Sequence, residues 1–510
     1  MSQHVCLIRP PILVPKSHPI VQFTPPIGIA YLAGSLRDAN IDVTVIDGLG
    51  EALDTRHHAD NDCFIYGLHP DEIVARIPVE AKVVGISASF SFEWPTCRDL
   101  IGRIRKQFPT ALLVGGGEHI TALPELSLNE SGLDVAVLGE GENTFLSIAK
   151  QCLSDDTNLH TINGIIFKSA TGDLHKTEPN GRIRNIDEIP RPAWDTIPIG
   201  EYLDRGMGFG VNRGRSMPVL ASRGCPFQCT FCSSPQMWTT RWIPRDADLL
   251  LDELAYYQEH YGVTNFDFYD LTAIVKKKWI IDFCKKIEER GMVFTWQLPS
   301  GTRSEAIDHE VASYLYKSGC RNLSYSPESG SPSVLARIKK RVEPKSVADS
   351  IRSSVEANLN VKCNLIIGFP DETYKEIFET LTYTIQLAFA GAHDLSIWVF
   401  SPYPGSALFD QLTEAGSIRM DDAYYDDLRS YADTNRTKSF TNHVSSQRLK
   451  ILRRFGTLVF YMASWLRRPW RPFAMLRNVM LGKQESRAEL ALSTMFKRTT
   501  METSDKSASD

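Results

Sequence analysis

Two runs of alternation constrain this chain more than any other feature of it. From His4 to about residue 150, short β-branched runs take turns with amphipathic stretches. Strands are predicted over 5–8, 43–47, 83–89, 111–115 and 134–138, with helices such as 27–39 and 96–107 between them. From Met217 the alternation resumes in a second cadence, with strands predicted over 219–222, 265–270, 292–298, 322–326, 361–369 and 395–400. The intervening stretches have helical spacing: Leu250, Leu254, Tyr257 and Tyr261 fall on one face of 246–261, and Ile307, Val311, Tyr314 and Leu315 mark 305–318. Such stripes are the buried faces of helices lying on a sheet. With 510 residues, 43% of them hydrophobic, the chain has material for two or three domains with sizeable cores.

The first run predicts an α/β, doubly wound, Rossmann-like parallel sheet, in which ligands sit beyond the carboxyl ends of the strands. Glycines stand there: Gly115-Gly116-Gly117 after the fourth strand and Gly139-Glu140-Gly141-Glu142 after the fifth. Without a Cβ the backbone can approach a ligand closely. Their spacing is not the G-x-G-x-x-G of dinucleotide sites, so NAD is not expected. Residues 151–215 lose the periodicity and read as a connection. The six strand–helix units that follow predict a partial TIM-type (β/α)6 barrel, whose working residues would lie at the carboxyl ends of its strands.

Directly after the first barrel strand comes Ala221-Ser-Arg-Gly-Cys225-Pro-Phe-Gln-Cys229-Thr-Phe-Cys232. A structural zinc site needs four nitrogen or sulfur ligands, and no His or fourth Cys follows closely. Three thiolates holding a [4Fe-4S] cluster leave one iron open to a small chelating ligand. A zinc loop is the alternative.

The loop resembles that of the radical S-adenosylmethionine (SAM) enzymes, with Phe231 as the aromatic residue before the last cysteine. The resemblance implies that the open iron binds the amino and carboxyl groups of SAM, and that one electron cleaves it to a 5'-deoxyadenosyl radical. It assigns Cys225, Cys229 and Cys232 to the cluster. It also assigns Phe231, Asp270, Arg303, Glu328 and Ser329 to SAM, from Phe268-Tyr-Asp270, the Arg after the third strand and Pro327-Glu-Ser-Gly330. The usual second Asp is Leu271 here. In Ile366-Ile-Gly-Phe-Pro-Asp-Glu-Thr373, Gly368 and Pro370 would form the turn and Asp371 would cap the next helix.

Pro25-Pro-Ile-Gly28-Ile-Ala-Tyr-Leu-Ala33, with the two Gly-rich turns, is similar to the cobalamin-binding domain that precedes the barrel in a large subgroup of these enzymes. That similarity implies cobalamin against Gly28, Gly115, Gly116, Gly117, Gly139, Glu140 and Gly141. The Asp-x-His-x-x-Gly run that supplies a lower ligand to cobalt elsewhere is absent: Asp54 precedes Arg56, and His57-His58 lack the matching Asp and Gly. Cys6, Cys63 and Cys97 raise a second reading, the additional cluster of tRNA methylthiotransferases, although Cys6 lies in a strand-like apolar run.

After Ser401-Pro-Tyr-Pro-Gly-Ser406 an acidic, Tyr-rich segment carries Asp421, Asp422, Asp426 and Asp427. From Arg448 to Lys483 the sign reverses, with nine Lys and Arg, no acid, and aromatic residues interleaved. Such a segment suits a membrane surface, or packing on the barrel with its charges in water. Residues from 499 are small, polar and expected to be disordered.

The expected organisation is therefore 1–150 for cobalamin, 151–215 as linker, 216–405 as the barrel, 406–498 as a mostly helical C-terminal region and 499–510 as a tail. A net charge of −5 offers no nucleic-acid signature. The N-terminus shows no cleavable signal, no apolar run reaches the length of a spanning helix, and ten cysteines are too sparse for a disulfide scaffold. A cytoplasmic placement is expected, with contact at the inner membrane face as an option. The resemblance implies a methyltransferase acting on an unactivated carbon of a small molecule or lipid. SAM would serve both as radical source and as origin of the methyl, and a flavodoxin or ferredoxin would be the electron donor. An oxidative cyclase and a non-catalytic iron–sulfur and cobalamin sensor or carrier are the rivals.

Overall fold

The structure, a computed structural model, describes residues 4–18, 23–59, 62–154, 157–431, 433 and 435–494. The tail expected from 499 lies outside the described residues.

The first run folds into a seven-stranded sheet: β1 (His4–Arg9), β2 (Asp42–Asp47), β3 (Ala81–Ser87), β4 (Leu112–Gly116), β5 (Val135–Val137), β6 (Ile165–Lys168) and β7 (Leu174–Lys176). Their order is β7-β6-β5-β4-β3-β1-β2. The first five pair in parallel, whereas β6 and β7 join antiparallel at one edge. Val5, Cys6, Leu7 and Ile8 of β1 are all buried. Such an uninterrupted apolar strand is what a parallel strand covered by helices on both faces requires. The strand order reverses between β1 and β3, and there a crevice opens at the carboxyl ends.

The stretch 151–215, read as a connection, supplies the β6–β7 hairpin of this sheet and places Trp194 and Tyr202, both fully buried, in the main core of the barrel. Strands of four and three residues are too short to show a period, and burying each such ring stabilises by roughly 2–3 kcal/mol. A small antiparallel sheet of Ile12–Pro15, Cys63–Tyr66 and Arg56–Ala59 was equally invisible in the pattern.

The second run forms a six-stranded, all-parallel partial barrel in sequence order: β8 (Ser216–Val219), β9 (Asn265–Phe268), β10 (Thr295–Thr302), β11 (Cys320–Glu328), β12 (Asn360–Ile367) and β13 (Asp394–Val399). Three of its helices start where a short polar side chain accepts from free backbone N–H groups. Asp246 accepts from Asp248 N and Leu249 N (2.9 and 3.1 Å), so that Ala247–Tyr261 buries Leu250, Leu254 and Tyr257. Asp308 accepts from Val311 N (3.0 Å) and starts His309–Lys317. The cap expected of Asp371 falls instead to Thr373, which forms a reciprocal capping box with Glu376. Asp371 sits two residues earlier in a left-handed turn (φ 60°).

Beyond the barrel, the helix Asp422–Leu428 buries Tyr424 and Tyr425 against the first sheet's helices, and Arg98 pairs with Asp422 at 2.9 Å. Two basic helices follow, Ser446–Arg467 and Arg471–Met480. Among the described residues no helix is long and apolar enough to cross a membrane.

Candidate functional site

The carboxyl ends of the two sheets meet around a cavity of about 450 Å³, within the range of ligand pockets. One wall is the glycine edge of the first sheet, with Gly28, Gly115, Gly116, Gly117, Gly139 and Gly141. The facing wall is the start of the cysteine loop and the rim of β9: Leu220, Ser222, Gly224, Trp238 and Tyr269. A smaller chamber of about 220 Å³, lined by Arg9, Glu93 and Cys97, shares Gly28, Ser89 and Tyr269 with the first.

The glycines divide by what a side chain would meet. At Gly28 and Gly116 nothing lies within 4 Å of the Cβ position, so their missing side chains leave room in the cavity. Gly115 and Gly117 are glycines for internal reasons: a Cβ would strike Leu133 at 2.6 Å and the Ala88 carbonyl at 2.6 Å, respectively, and Gly117 has φ 115°. A broad, open glycine edge at the switch point fits a large flat cofactor such as cobalamin.

Glu140, expected at that cofactor, is spent elsewhere. Its Oε2 accepts from Arg182 Nε (2.7 Å) and Ile183 N (2.9 Å), and its Oε1 from Arg223 Nη1 (3.2 Å). Arg223 also donates to Glu142 (2.6 Å) and lies over the Tyr31 ring. Glu140, Glu142 and Arg223 are buried and Arg182 is nearly so, and they clasp the loop after β5 to the strand that leads into the cysteines. Removing one member would strand a buried charge.

The cysteine loop is tied down at several points. Asp270 lies behind it, fully buried, accepting from Ala221 N (3.0 Å) and Ser222 Oγ (2.5 Å), with its pKa raised to about 6 by burial. With each oxygen accepting from the loop, it fixes the loop's position. Gly224, at φ 85°, passes where a Cβ would meet the Arg241 carbonyl. Thr230 N donates to Ile338 O (3.0 Å), and Leu408 N to Thr230 O (2.9 Å). Ser233 Oγ donates to Glu118, from the turn after β4, so the first sheet touches the loop directly. Phe231 packs edge-on to Phe369 at 5.7 Å.

Among the described residues no three His, Cys, Asp or Glu side chains gather closely enough to hold a single metal ion. Burial pushes the Cys232 thiol up to about 12 and raises that of Cys229, against which Lys340 and Arg303 pull in the opposite direction. Such thiols ionise in company with bound cations, as a cluster's irons supply.

Around Cys229 stand three charged groups. Glu328 ends β11 with φ 69°, a left-handed conformation that a non-glycine residue holds only when its surroundings force it. Its carboxylate accepts from Lys340 Nζ at 3.0 Å, and burial raises its pKa. Arg303 lies 3.8 Å from the Phe227 ring centroid, and its buried Nε has no partner. An orphaned donor beside a cation pair fits the carboxylate of an amino acid such as the head group of SAM.

Ser329, also expected at SAM, turns away. Its hydroxyl bonds Thr380 Oγ1 (2.8 Å) and accepts from Ser331 N (3.1 Å), while Gly330 lets the helix Tyr374–Ala390 approach. Lys340 was missed because Lys339-Lys340-Arg341 reads as a solvated helix end. Arg223, directly before Gly224, carried no signal of its own.

Cys6 and Cys97 share the first sheet's core, with thiols raised by burial to about 12, while Cys63 sits in the small sheet beside Arg429.

Compared with known proteins, residues 18–149 match the B12 binding domain and residues 219–384 the radical SAM superfamily. An uncharacterized methyltransferase of Pyrococcus horikoshii is 30% identical over 477 residues, 93% of this chain and 94% of that one. Cytidylyl-2-hydroxyethylphosphonate methyltransferase of Streptomyces wedmorensis is 26% identical over 83% of this chain and 84% of its own. A solved radical SAM methyltransferase, TsrM from Kitasatospora setae, with cobalamin and a [4Fe-4S] cluster bound, superposes with a TM-score of 0.64 at 18% identity. The match covers 81% of this chain and 75% of that one.

Proposed function

This chain belongs to the radical SAM enzymes that carry an N-terminal B12-binding domain, and we propose that it is a cobalamin-dependent methyltransferase acting on an unactivated carbon of a small molecule or lipid. The observation that carries this reading is the cavity itself, whose glycine edge faces the start of the cysteine loop across about 450 Å³. When bound, SAM on a reduced cluster supplies a carbon-centred radical, and cobalamin supplies a methyl group.

The chain's own part is to hold these groups in line and keep water out. Cys225, Cys229 and Cys232 would hold the cluster on a loop fixed by Asp270. Lys340 and Arg303 would receive the carboxylate of SAM, and Glu328, paired to Lys340, would keep that lysine oriented. Gly28 and Gly116 would let cobalamin lie against the backbone. The Glu140–Arg223–Glu142 clasp and the Ser233–Glu118 bond would set the distance between the two cofactors. A flavodoxin or ferredoxin would deliver the electron in the cytoplasm, with residues 448–483 at the inner membrane face.

The test is anaerobic reconstitution with iron, sulfide, cobalamin and SAM, followed by mass analysis of SAM products and of metabolites from a deletion strain. Release of 5'-deoxyadenosine and a product heavier by one methylene unit are expected. Loss of hydrogen or gain of oxygen in the product would replace methyl transfer by oxidative cyclisation. Intact SAM after reduction would make the protein a carrier or sensor.

A further inference from the structure

The helix Ser446–Arg467 has two apolar faces. One is accounted for: Leu449, Gly456, Phe460 and Ala463 are buried on the barrel, and a Cβ at Gly456 would meet Leu381 at 2.5 Å. The opposite face of a surface helix is ordinarily polar. Here it carries Ile451, Phe455, Leu458, Met462 and Leu466, spaced by four, three, four and four, and each between 49% and 81% exposed. This spacing is a single stripe turned outward.

The stripe continues across the turn. Arg471–Met480 buries no residue at all, and Trp470, Phe473, Leu476 and Met480 are each more than half exposed. The ridge is nevertheless fixed to the barrel. Arg471 donates to the Ala392 and Gly391 carbonyls (2.7 Å each), and Arg468 to that of Ala388 (3.2 Å).

Charge selects the occupant. Between Arg448 and Lys483 stand nine cations and no acid, in a chain whose net charge is −5. Arg467, Arg477 and Lys483 are exposed beside the stripe and form no ion pair among the described residues. A second copy would bring two such basic ridges together. An anionic leaflet would take the apolar side chains at its acyl boundary and leave the cations among the headgroups. No described helix is suited to span a bilayer, so the ridge would lie in the interfacial plane.

We propose that residues 446–483 seat this protein on an anionic lipid surface, with the stripe from Ile451 to Met480 as the inserted edge. The inference deepens the membrane placement named above and does not depend on methyl transfer. The test is flotation of the full chain with phosphatidylcholine vesicles, with and without about a third phosphatidylglycerol. More than tenfold preference for the anionic vesicles is expected, weakened by high salt. It should be lost in Leu466→Asp/Phe473→Asp and cut about tenfold in Arg467→Glu/Arg477→Glu. Both variants should keep the brown cluster absorbance, since every altered side chain points outward. Failure to float, or equal flotation on neutral vesicles, overturns the proposal. So does a wild-type dimer in sedimentation that the Asp variant dissociates, because the face would then belong to a second copy.

Discussion

The two sheets furnish their carboxyl ends by opposite means, the first with the glycine edge of the cavity and the barrel with a charged cluster around Cys229. The first sheet removes atoms: at Gly28 and Gly116 the space of a side chain is left open, and the wall is mostly backbone and apolar carbon. The barrel adds charge: Glu328 in a strained conformation, Lys340 paired to it, and Arg303 with an unmatched donor crowd one cysteine. The difference follows from what each end would meet. A large, nearly neutral ring system is held by contact area, and so by vacancy. A small zwitterion on an iron–sulfur cluster is held by charge.

If the division is real, each end can be emptied without the other. Cys229→Ala should abolish the brown chromophore and SAM cleavage altogether, yet retain cobalamin through gel filtration. Gly28→Leu should do the reverse. Gly28 lies in the first turn of the helix Ile27–Asp38, where leucine is the better helix former by somewhat under 1 kcal/mol, so the fold should not suffer. The added side chain enters open space that only a ligand would contest. Cobalamin retention should fall at least tenfold while 5'-deoxyadenosine formation persists. A Gly28→Leu protein that still binds cobalamin normally would break the comparison on the side of the first sheet.

The charged end can be probed more finely. Lys340→Met strands Glu328 without its cation, and losing one partner of a buried pair costs about 3–5 kcal/mol. Lys340→Met/Glu328→Gln should recover most of that stability, because neither group is then a lone charge. If Lys340 meets the SAM carboxylate, the double variant should still bind SAM at least tenfold more weakly, read as loss of the SAM-induced change in the spectrum of the reduced cluster. Recovery of both stability and SAM binding would reduce Lys340 to a counter-ion.

The contrast also explains what the sequence could disclose. Vacancy is legible, because glycines at strand ends are visible as letters, and the strands carrying them alternate in a period that parallel sheets impose. The cysteines are legible for the same reason: their spacing is local. Charge constellations are not. Lys340 reaches back to Glu328 past the short helix Pro332–Arg337, and Arg223 reaches Glu140 from another domain, 83 positions away. Nothing local distinguishes either from a solvated cation. Asp270, Ser329 and Glu140 stand at strand ends as expected, and the bonds their oxygens make within the protein are equally illegible in the sequence. The hairpin β6–β7 stayed hidden because three or four residues hold at most two full periods of alternation.

A last measurement sets one buried carboxyl against the other. Glu328 has a lysine, whereas Glu93 faces the smaller chamber, where among the described residues Leu13 N alone donates to it, at 3.3 Å, with Arg9 further off. Burial raises Glu93 from 4.5 to about 7, so in the folded protein it keeps its proton through most of that interval while an unfolded chain has lost it. A proton held by the folded state alone makes stability fall as pH rises, here between 4.5 and 7, with no further change above. At 1.36 kcal/mol per pKa unit the full loss is at most about 3 kcal/mol, and less where water in the chamber relieves the carboxylate. Glu93→Gln keeps an acceptor for Leu13 N and removes the titration. Buried Asp267, Asp270 and Glu372, raised to about 6, 6 and 7, give both proteins a shared decline, so the urea midpoint of Glu93→Gln should fall less steeply than that of the wild type between pH 5 and 7.5, and the two curves should converge at the acid end. Parallel curves for the two proteins across this range would remove Glu93 from the slope and leave it to those other carboxyls.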